Sequence, residues 1–247
     1  MPRPAPLLLE TTLTLGGETV TCRVVRGQGR RLVVGVAPHR AVELRVPRGT
    51  RLADALAWLS TRQDWLERAW ARAALRPAPL RFAAGEVHHV RGVPLRLRLR
   101  RGAPAVSLEP GALVVQHPMP NDPTTVEGVL RAWYRALAHE EVPGRVRALA
   151  TLVPGRPAPA ALRMRLMRRH WGSCRRDGVI TLSTLLARAA PAQVDYVIVH
   201  ELCHLRHFDH GPAFHSLVGR VLPDWRERRQ ALEALPAWPA RELLAAA

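Results

Sequence analysis

The sequence predicts an α+β fold with two domains in a chain of 247 residues. Apolar and polar residues alternate along residues 7–46 and again along 95–100, which is typical of strands with one buried face. The first of these stretches has the spacing of a meander. Between them, apolar residues recur at helical spacing over residues 50–75, which predicts one long helix that Thr50 can cap and that can bend near Ser60. These elements form the predicted β-rich amino-terminal domain, residues 1–118.

The predicted second domain, residues 119–247, begins after a proline-rich stretch at 117–123 that resembles a linker. Apolar spacing predicts a helix over residues 125–149 and a strand pair over 161–186, with a turn at residues 175–178. Pro191 suits the first position of a further helix. Apolar residues recur at i, i+3 and i+4 from Val194 to Leu205, so this helix is expected to be buried. Gly211 and Pro212 mark the start of the next helix.

Residues 200–204 read His-Glu-Leu-Cys-His and lie on the predicted buried helix. The i, i+4 spacing places His200 and His204 on one face, about 6 Å apart along the axis. One tetrahedral metal ion can accept a nitrogen from each imidazole, and Glu201 lies beside them, positioned to take a proton from a metal-bound water. Burying these groups without a ligand would be costly. The motif therefore predicts a zinc site with Glu201 as the catalytic base.

The third zinc ligand is expected to come from beyond this helix. His207 shares the face of His200 but lies about 10 Å along the axis from it, too far for one ion to bind both and His204 as well. His210 stands at the turn before Pro212, where the chain can fold back over the metal. We therefore expect His210 as the third ligand, and the alternatives are His215 and Glu227.

Other polar residues near the motif are candidates for supporting roles. Arg206, His207 and His215 are candidates to stabilise an oxyanion by their proximity. Asp195 and Asp209 are candidates to orient a ligand imidazole.

The composition predicts an affinity for polyanions. All 37 basic residues are Arg, and against 20 acidic residues they give a formal net charge of +17. Guanidinium groups suit phosphate oxygens, so DNA or RNA is a candidate partner. The candidate contacts are Arg168, Arg169, Arg175 and Arg176. A bias towards GC-rich codons would also enrich Arg, so the charge alone leaves both explanations open.

The sequence favours a cytoplasmic protein. No apolar run approaches the roughly 18 residues that a membrane span needs, and the short run Leu7-Leu8-Leu9 is too brief for a signal peptide. The three cysteines, Cys22, Cys174 and Cys203, fit no disulfide framework and are expected to be free thiols in a reducing compartment.

The residues around the predicted metal site resemble those of the YgjP-like zinc metallopeptidases, relatives of the SprT and WLM proteases. The likeness rests on residues 200–204, on His210-Gly211-Pro212-Ala213-Phe214 and on Trp171-Gly172-Ser173-Cys174. It implies a zincin-like metallopeptidase domain, in which a strand pair precedes the HExxH helix and further helices follow. It also implies zinc bound by His200, His204 and His210, Glu201 as the base, and a protein or peptide substrate. Ser183, His215 and His170 depart from the family pattern, which bears on the substrate pocket.

Trp171, Gly172 and Ser173 are candidate substrate-binding residues. In a fold of this kind an edge strand can pair with an extended peptide, and Gly172 would allow close approach. Core packing is the competing role for Trp171. The alternative function is a nucleic-acid-binding protein with a structural zinc site and no catalysis, and Glu201 favours the peptidase because a structural site has no need of it.

Overall fold

The computed structural model describes residues 6–36, 41–75, 77–155, 158–168 and 170–239. The chain divides into two compact units, Met1–Pro79 and Leu80–Ala247. The predicted boundary between residues 118 and 119 instead lies inside the second unit. Residues on both sides of it, such as Leu113 and Leu130, belong to one buried core, so the proline-rich stretch is a loop within that unit.

The first unit contains a four-stranded sheet in the order β1-β2-β4-β3. The strands are β1 (Leu7–Leu15), β2 (Glu18–Arg26), β3 (Val33–Val36) and β4 (Val42–Val46). The predicted meander is wrong, because β4 lies between β2 and β3 and pairs with β2 in parallel. Alternation of apolar residues assigns faces to a strand but does not name its neighbours.

Two helices follow where the sequence predicted one long helix. They are α1 (Leu52–Ser60) and α2 (Gln63–Ala74). The interruption lies at the predicted bend, where the hydroxyls of Ser60 and Thr61 donate to the carbonyls of Ala57 and Trp58, each at 2.7 Å. Such side-chain bonds compete with the helical pattern. Thr50 does not cap the helix, since Arg51 occupies the N-cap position without a side-chain bond.

A second four-stranded sheet opens the second unit. Its strands are β5 (Val87–Val90), β6 (Val93–Arg100), β7 (Ala105–Glu109) and β8 (Ala112–Gln116), in the order β5-β6-β8-β7. The parallel pair is β6 with β8, so this sheet repeats the order and strand directions of the first one. On β6 the alternation holds as predicted, with Leu97 buried and the neighbouring Arg residues exposed.

The long helix α3 (Pro123–Ala150) packs against this sheet. Its amino terminus is capped by Asp122, whose carboxylate accepts from the backbone N–H groups of Thr124 and Thr125 at 3.2 and 3.0 Å. Pro123 at the first position needs no hydrogen-bond partner there. Residues at successive helical turns form its buried face: Val126, Leu130, Tyr134, Ala138, Val142 and Val146.

A three-stranded sheet and three helices complete the unit. The strands are β9 (Ala161–Arg165), β10 (Gly172–Cys174) and β11 (Val179–Ser183), in the order β10-β11-β9. The predicted strand pair with its turn at residues 175–178 corresponds to β10 and β11, and β9 adds a parallel strand to β11. A 3-10 helix (Thr184–Arg188) leads to α4 (Pro191–His204), α5 (Pro212–Val221) and α6 (Trp225–Glu233).

No helix in the described ranges has the length and apolar character needed to cross a membrane. Cys22 and Cys203 are buried and Cys174 is half-buried, and all three are free thiols, as expected.

Candidate metal centre

Helix α4 is mostly apolar and carries His200, Glu201 and His204 at its carboxyl end. It begins at Pro191, and Gln193 accepts a hydrogen bond from the backbone of Ala190 at 2.8 Å. Most of the helix is buried, including Val197, Ile198 and Leu202. His200, Glu201 and His204 therefore project from a helix that the surrounding core holds rigidly.

Three imidazoles converge at the carboxyl end of α4. The Nε2 atom of His200 lies 3.1 Å from that of His204 and 3.2 Å from that of His210. One ring nitrogen from each of the three residues lies within 4.8 Å of the others. His210 comes from the loop between α4 and α5, as the Gly211-Pro212 turn predicted. The alternatives His215 and Glu227 do not belong to this cluster, which is the one found in the described part of the chain.

Phe214 supports all three imidazoles. Its ring centroid lies 4.9 Å from His200, 4.5 Å from His204 and 4.9 Å from His210. The residue is only 1% exposed. Because Phe214 is in the first turns of α5, the packing of that helix fixes the rings in position. The sequence indicated an apolar residue here, but not its contact with three histidines.

His200 and His204 are in the protonation state that a metal ligand needs. Nδ1 of His204 lies 2.9 Å from the backbone carbonyl oxygen of His207. Because a carbonyl only accepts, Nδ1 carries the proton and Nε2 keeps a free lone pair. Burial, together with neighbouring His204 and His210, lowers the pKa of His200 to about 3. His200 is therefore neutral at neutral pH.

The three nitrogens fit a zinc ion. Zn–N bonds of about 2.05 Å at tetrahedral angles separate two ligand nitrogens by about 3.3 Å. The Nε2 atoms of His204 and His210 lie 3.1 and 3.2 Å from Nε2 of His200, close to that value. Neutral imidazole nitrogens are also the donor type that zinc commonly takes in proteins.

Glu201 is a buried carboxylate beside this cluster. It is 5% exposed, and its Oε2 atom has no hydrogen-bond partner among the described residues. Without a cation nearby, burial raises the pKa of its carboxyl to about 8, and a metal ion bound beside it would favour the ionised form that a base needs. A buried polar atom without a partner is unusual in a folded protein and indicates a functional role.

The predicted substrate residues lie on or next to the edge strand β10. A Cβ atom built on Gly172 would lie 2.5 Å from Oε1 of Glu201, so the strand passes directly against that carboxylate. Trp171 packs against the core of the unit, and its carbonyl accepts from the backbone of Ser183 at 2.8 Å. Trp171 and Gly172 also line a cavity shared with His200 and Glu201. Ser173 is half-buried on β10.

The residue that orients a ligand imidazole differs from the expectation. Asp195 is bound to Arg145, with oxygen–nitrogen distances of 2.9 and 2.6 Å, so it is engaged away from the imidazoles. The backbone carbonyl of His207 orients His204 instead. Arg206 donates to the carbonyl of Pro154 at 2.9 Å. Of the oxyanion candidates, His215 lines the cavity that contains the metal-binding residues.

The candidate phosphate-binding arginines do not form one free cluster. Arg168 points to the buried carboxylate of Glu127, at 3.6 Å. Arg175 is exposed and pairs with Asp177 at 2.7 Å. Arg176 lies over the ring of Phe208, 5.1 Å from its centroid. Arg169 is outside the described residues.

Several residues of the cavity were not predicted from the sequence, among them an aromatic pair. Tyr196 and Trp225 both line it, on α4 and α6 respectively. Tyr196 precedes His200 by four residues, so helical spacing placed it on the same face. Trp225 follows His200 by 25 residues, and no local pattern indicated their proximity.

Comparisons with known proteins found one family and one solved structure to which the chain is similar. The model of one protein family, described as "YgjP-like, metallopeptidase domain", matches residues 30–235. One similar solved structure is the crystal structure of the metallopeptidase zymogen of Pyrococcus abyssi abylysin. It is 22% identical, and the match covers 37% of this chain and 90% of that chain with a TM-score of 0.34. No curated protein matches the chain.

Proposed function

Because the chain belongs to the YgjP-like metallopeptidase family, we propose that it is a zinc-dependent peptidase that hydrolyses bonds in proteins or peptides. One observation carries this proposal: three imidazole nitrogens converge beside the buried carboxylate of Glu201. Three protein ligands leave the fourth position of a tetrahedral ion open, as catalysis requires. A structural zinc site commonly has four protein ligands and no adjacent base, which disfavours the non-catalytic alternative.

His200, His204 and His210 would hold the ion through their Nε2 atoms. When bound, zinc lowers the pKa of a water molecule and polarises the carbonyl of the peptide bond. The hydrogen bond from Nδ1 of His204 to the carbonyl of His207 fixes the tautomer of that ligand. Phe214 packs against all three rings and limits their rotation.

Glu201 moves the proton in this proposal. Its Oε2 atom accepts a proton from the attacking water and then returns it to the amine nitrogen as the C–N bond breaks. The carboxylate is not itself a ligand, which agrees with its absence from the cluster of ligand atoms found among the described residues. The close passage of β10 at Gly172 limits the positions that the carboxylate can take.

Strand β10 is the proposed binding site for the peptide backbone. It pairs with β11 on one side and is at the edge of its sheet. An extended peptide can add to such an edge through backbone hydrogen bonds. Trp171, Gly172 and Ser173 would then bring the cleaved bond close to Glu201, which lies against Gly172.

A narrower form of the proposal concerns the substrate and its location. The formal charge of +17 supports substrates that are associated with nucleic acid, and the free thiols of Cys22, Cys174 and Cys203 suit a reducing compartment such as the cytoplasm. Exposed Arg163 and Arg165 on β9 add to the charge of Arg175 and Arg176 near the turn.

The test compares zinc-loaded protein with its Glu201→Gln variant on a reduced and carboxymethylated protein substrate. We expect wild type to cleave the substrate and the variant to retain one zinc ion per chain but lose nearly all hydrolysis. Elemental analysis and mass spectrometry of the products give the two readouts. Loss of zinc from the variant, or equal cleavage by both proteins, would contradict the role proposed for Glu201.

A further inference from the structure

The cavity beside the metal-binding residues extends beyond them. Its volume is about 430 Å³. At one end it is lined by His200, Glu201 and His210, and further lining residues come from α4, α5 and α6. Tyr196 lines the opposite end of the cavity and lies one helical turn before His200 on α4. His210 is exposed, so a ligand can enter the cavity from solvent.

The far end of the cavity is aromatic and apolar. The ring of Tyr196 and the indole of Trp225 are nearly parallel, at 13° with centroids 6.3 Å apart. His215 stacks on the same indole, at 8° and 5.1 Å. The aliphatic residues Val218 and Leu232, which are 1% and 3% exposed, complete this part of the lining. We call these four residues, Tyr196, Val218, Trp225 and Leu232, the aromatic pocket.

The charged residues next to the aromatic pocket neutralise each other. Arg229 and Glu233 also line the cavity, and the Nε atom of Arg229 lies 2.9 Å from Oε1 of Glu233. Both side chains are about half exposed. A charged ligand group would therefore lose solvation in the pocket without gaining an opposite free charge, whereas an apolar group gains by leaving water.

We propose that the aromatic pocket receives an aromatic or large aliphatic side chain of the substrate, next to the bond that is cleaved. The proposal rests on the proposed function, because the reacting centre is the metal end of the same cavity. It names the substrate class: polypeptides that expose large apolar side chains, as unfolded segments do. Burial of such a side chain is expected to strengthen binding about 10- to 100-fold over a methyl group.

The test uses three small ligands that share one metal-binding group. Acetohydroxamate, 3-phenylpropanohydroxamate and the hydroxamate of succinate carry a methyl, a phenylethyl and a carboxyethyl arm. Calorimetric titration of zinc-loaded wild type measures their affinities. We expect the phenyl ligand to bind about 10- to 100-fold more tightly than acetohydroxamate, and the carboxylate ligand to show no such gain.

Variants connect that preference to the aromatic pocket. Val218→Trp fills the pocket and should remove the preference for the phenyl ligand, whereas Ser216→Trp places the same indole on the exposed side of α5 and should preserve it. If Val218→Trp does not fold, Val218→Ala is used instead. It widens the pocket, and the 3-(2-naphthyl)propanohydroxamate should then gain affinity relative to the phenyl ligand.

The outcomes separate the pocket from the peptidase. If acetohydroxamate binds but wild type shows no preference for the phenyl arm, the aromatic pocket is not a side-chain subsite, and the metallopeptidase proposal is unaffected. If a variant that fills or widens the pocket leaves the preference unchanged, the assignment of these residues is overturned. If zinc-loaded wild type binds none of the hydroxamates, the open metal position is contradicted and both proposals fail.

Discussion

Gly172 and Glu201 are so close that a side chain at position 172 would force Glu201 or the strand to shift. A Cβ atom there would lie 2.5 Å from Oε1 and 2.7 Å from Cγ of Glu201. The glycine is needed for close approach of β10 to the carboxylate. This contact positions the proposed base from the substrate side.

Gly172→Ala is expected to lower kcat/KM about 100-fold, because even a displacement of about 1 Å in a catalytic group can have that effect. Zinc content should remain at one ion per chain. The matched control is Gly144→Ala on α3, where an added Cβ meets no atom within 4 Å. That change should stabilise the helix by about 0.5–1 kcal/mol without altering activity. A kcat/KM equal to that of wild type for Gly172→Ala would contradict the claim that contact with Gly172 positions Glu201.

His88 makes the stability of the second unit sensitive to pH. The residue is fully buried, and its Nε2 atom lies 3.0 Å from Oε2 of Glu86. Burial lowers the pKa of His88 and outweighs the opposing effect of Glu86. Below about pH 6.5 the unfolded chain therefore binds a proton that the folded chain does not. This contribution to stability is complete above about pH 6.5 and is lost as the pH falls.

The free energy of unfolding should therefore decrease between pH 7.5 and 5.5. His88→Gln should reduce that decrease by up to about 1.4 kcal/mol per pH unit, the limit for one proton. His139→Gln, on the exposed face of α3, is the control and should follow wild type. Urea unfolding at a series of pH values provides the measurement. Parallel curves for wild type and His88→Gln would exclude His88 as the source.

Arg168 is expected to stabilise the fold. The carboxylate of Glu127 is 1% exposed and is bound by Nε1 of Trp238 at 2.9 Å and by Arg131 at 3.3 Å, with Arg168 at 3.6 Å. Removing one partner of a buried carboxylate costs about 1–3 kcal/mol. Arg168→Ala should lower the free energy of unfolding by that amount, whereas Arg175→Ala, at an exposed ion pair, should change it by less than about 1 kcal/mol. Equal effects would contradict the assignment.

Binding of nucleic acid, if it uses the second unit, should depend on exposed arginines and not on Arg168. Replacing Arg163, Arg165, Arg175 and Arg176 with Gln should lower the salt slope of binding to DNA by up to about four units. A control variant removes four arginines of the first unit: Arg51, Arg62, Arg68 and Arg72. Filter binding at two salt concentrations measures the salt slope of each variant. Equal slopes for both variants would show that net charge, and not this surface, attracts DNA.

The local parts of the metal centre were predictable from the sequence. The i, i+4 spacing placed His200 and His204 on one face, and the Gly211-Pro212 turn returned His210 to them. Each inference involves residues within about one helical turn or one tight loop.

Long-range features were not predictable in the same way. The parallel pairs β2 with β4, β6 with β8 and β9 with β11 join strands that are not consecutive in the chain. A single sequence shows which face of a strand is apolar, but not which strand it joins. The aromatic pocket was not predictable for the same reason, because Trp225 contacts Tyr196 only through the packing of α4 against α6. The pairing of Asp195 with Arg145 is likewise not visible in the local sequence, because the two residues are 50 positions apart.

The most direct test of the central claim is anomalous scattering at the zinc absorption edge from crystals of the zinc-loaded protein. We expect one strong peak about 2.0–2.1 Å from the Nε2 atoms of His200, His204 and His210, with Glu201 close by but not coordinated. A peak that is ligated by Glu201 or by His215, or no peak at these histidines, would contradict the claim that this site is a three-histidine zinc centre with a separate base.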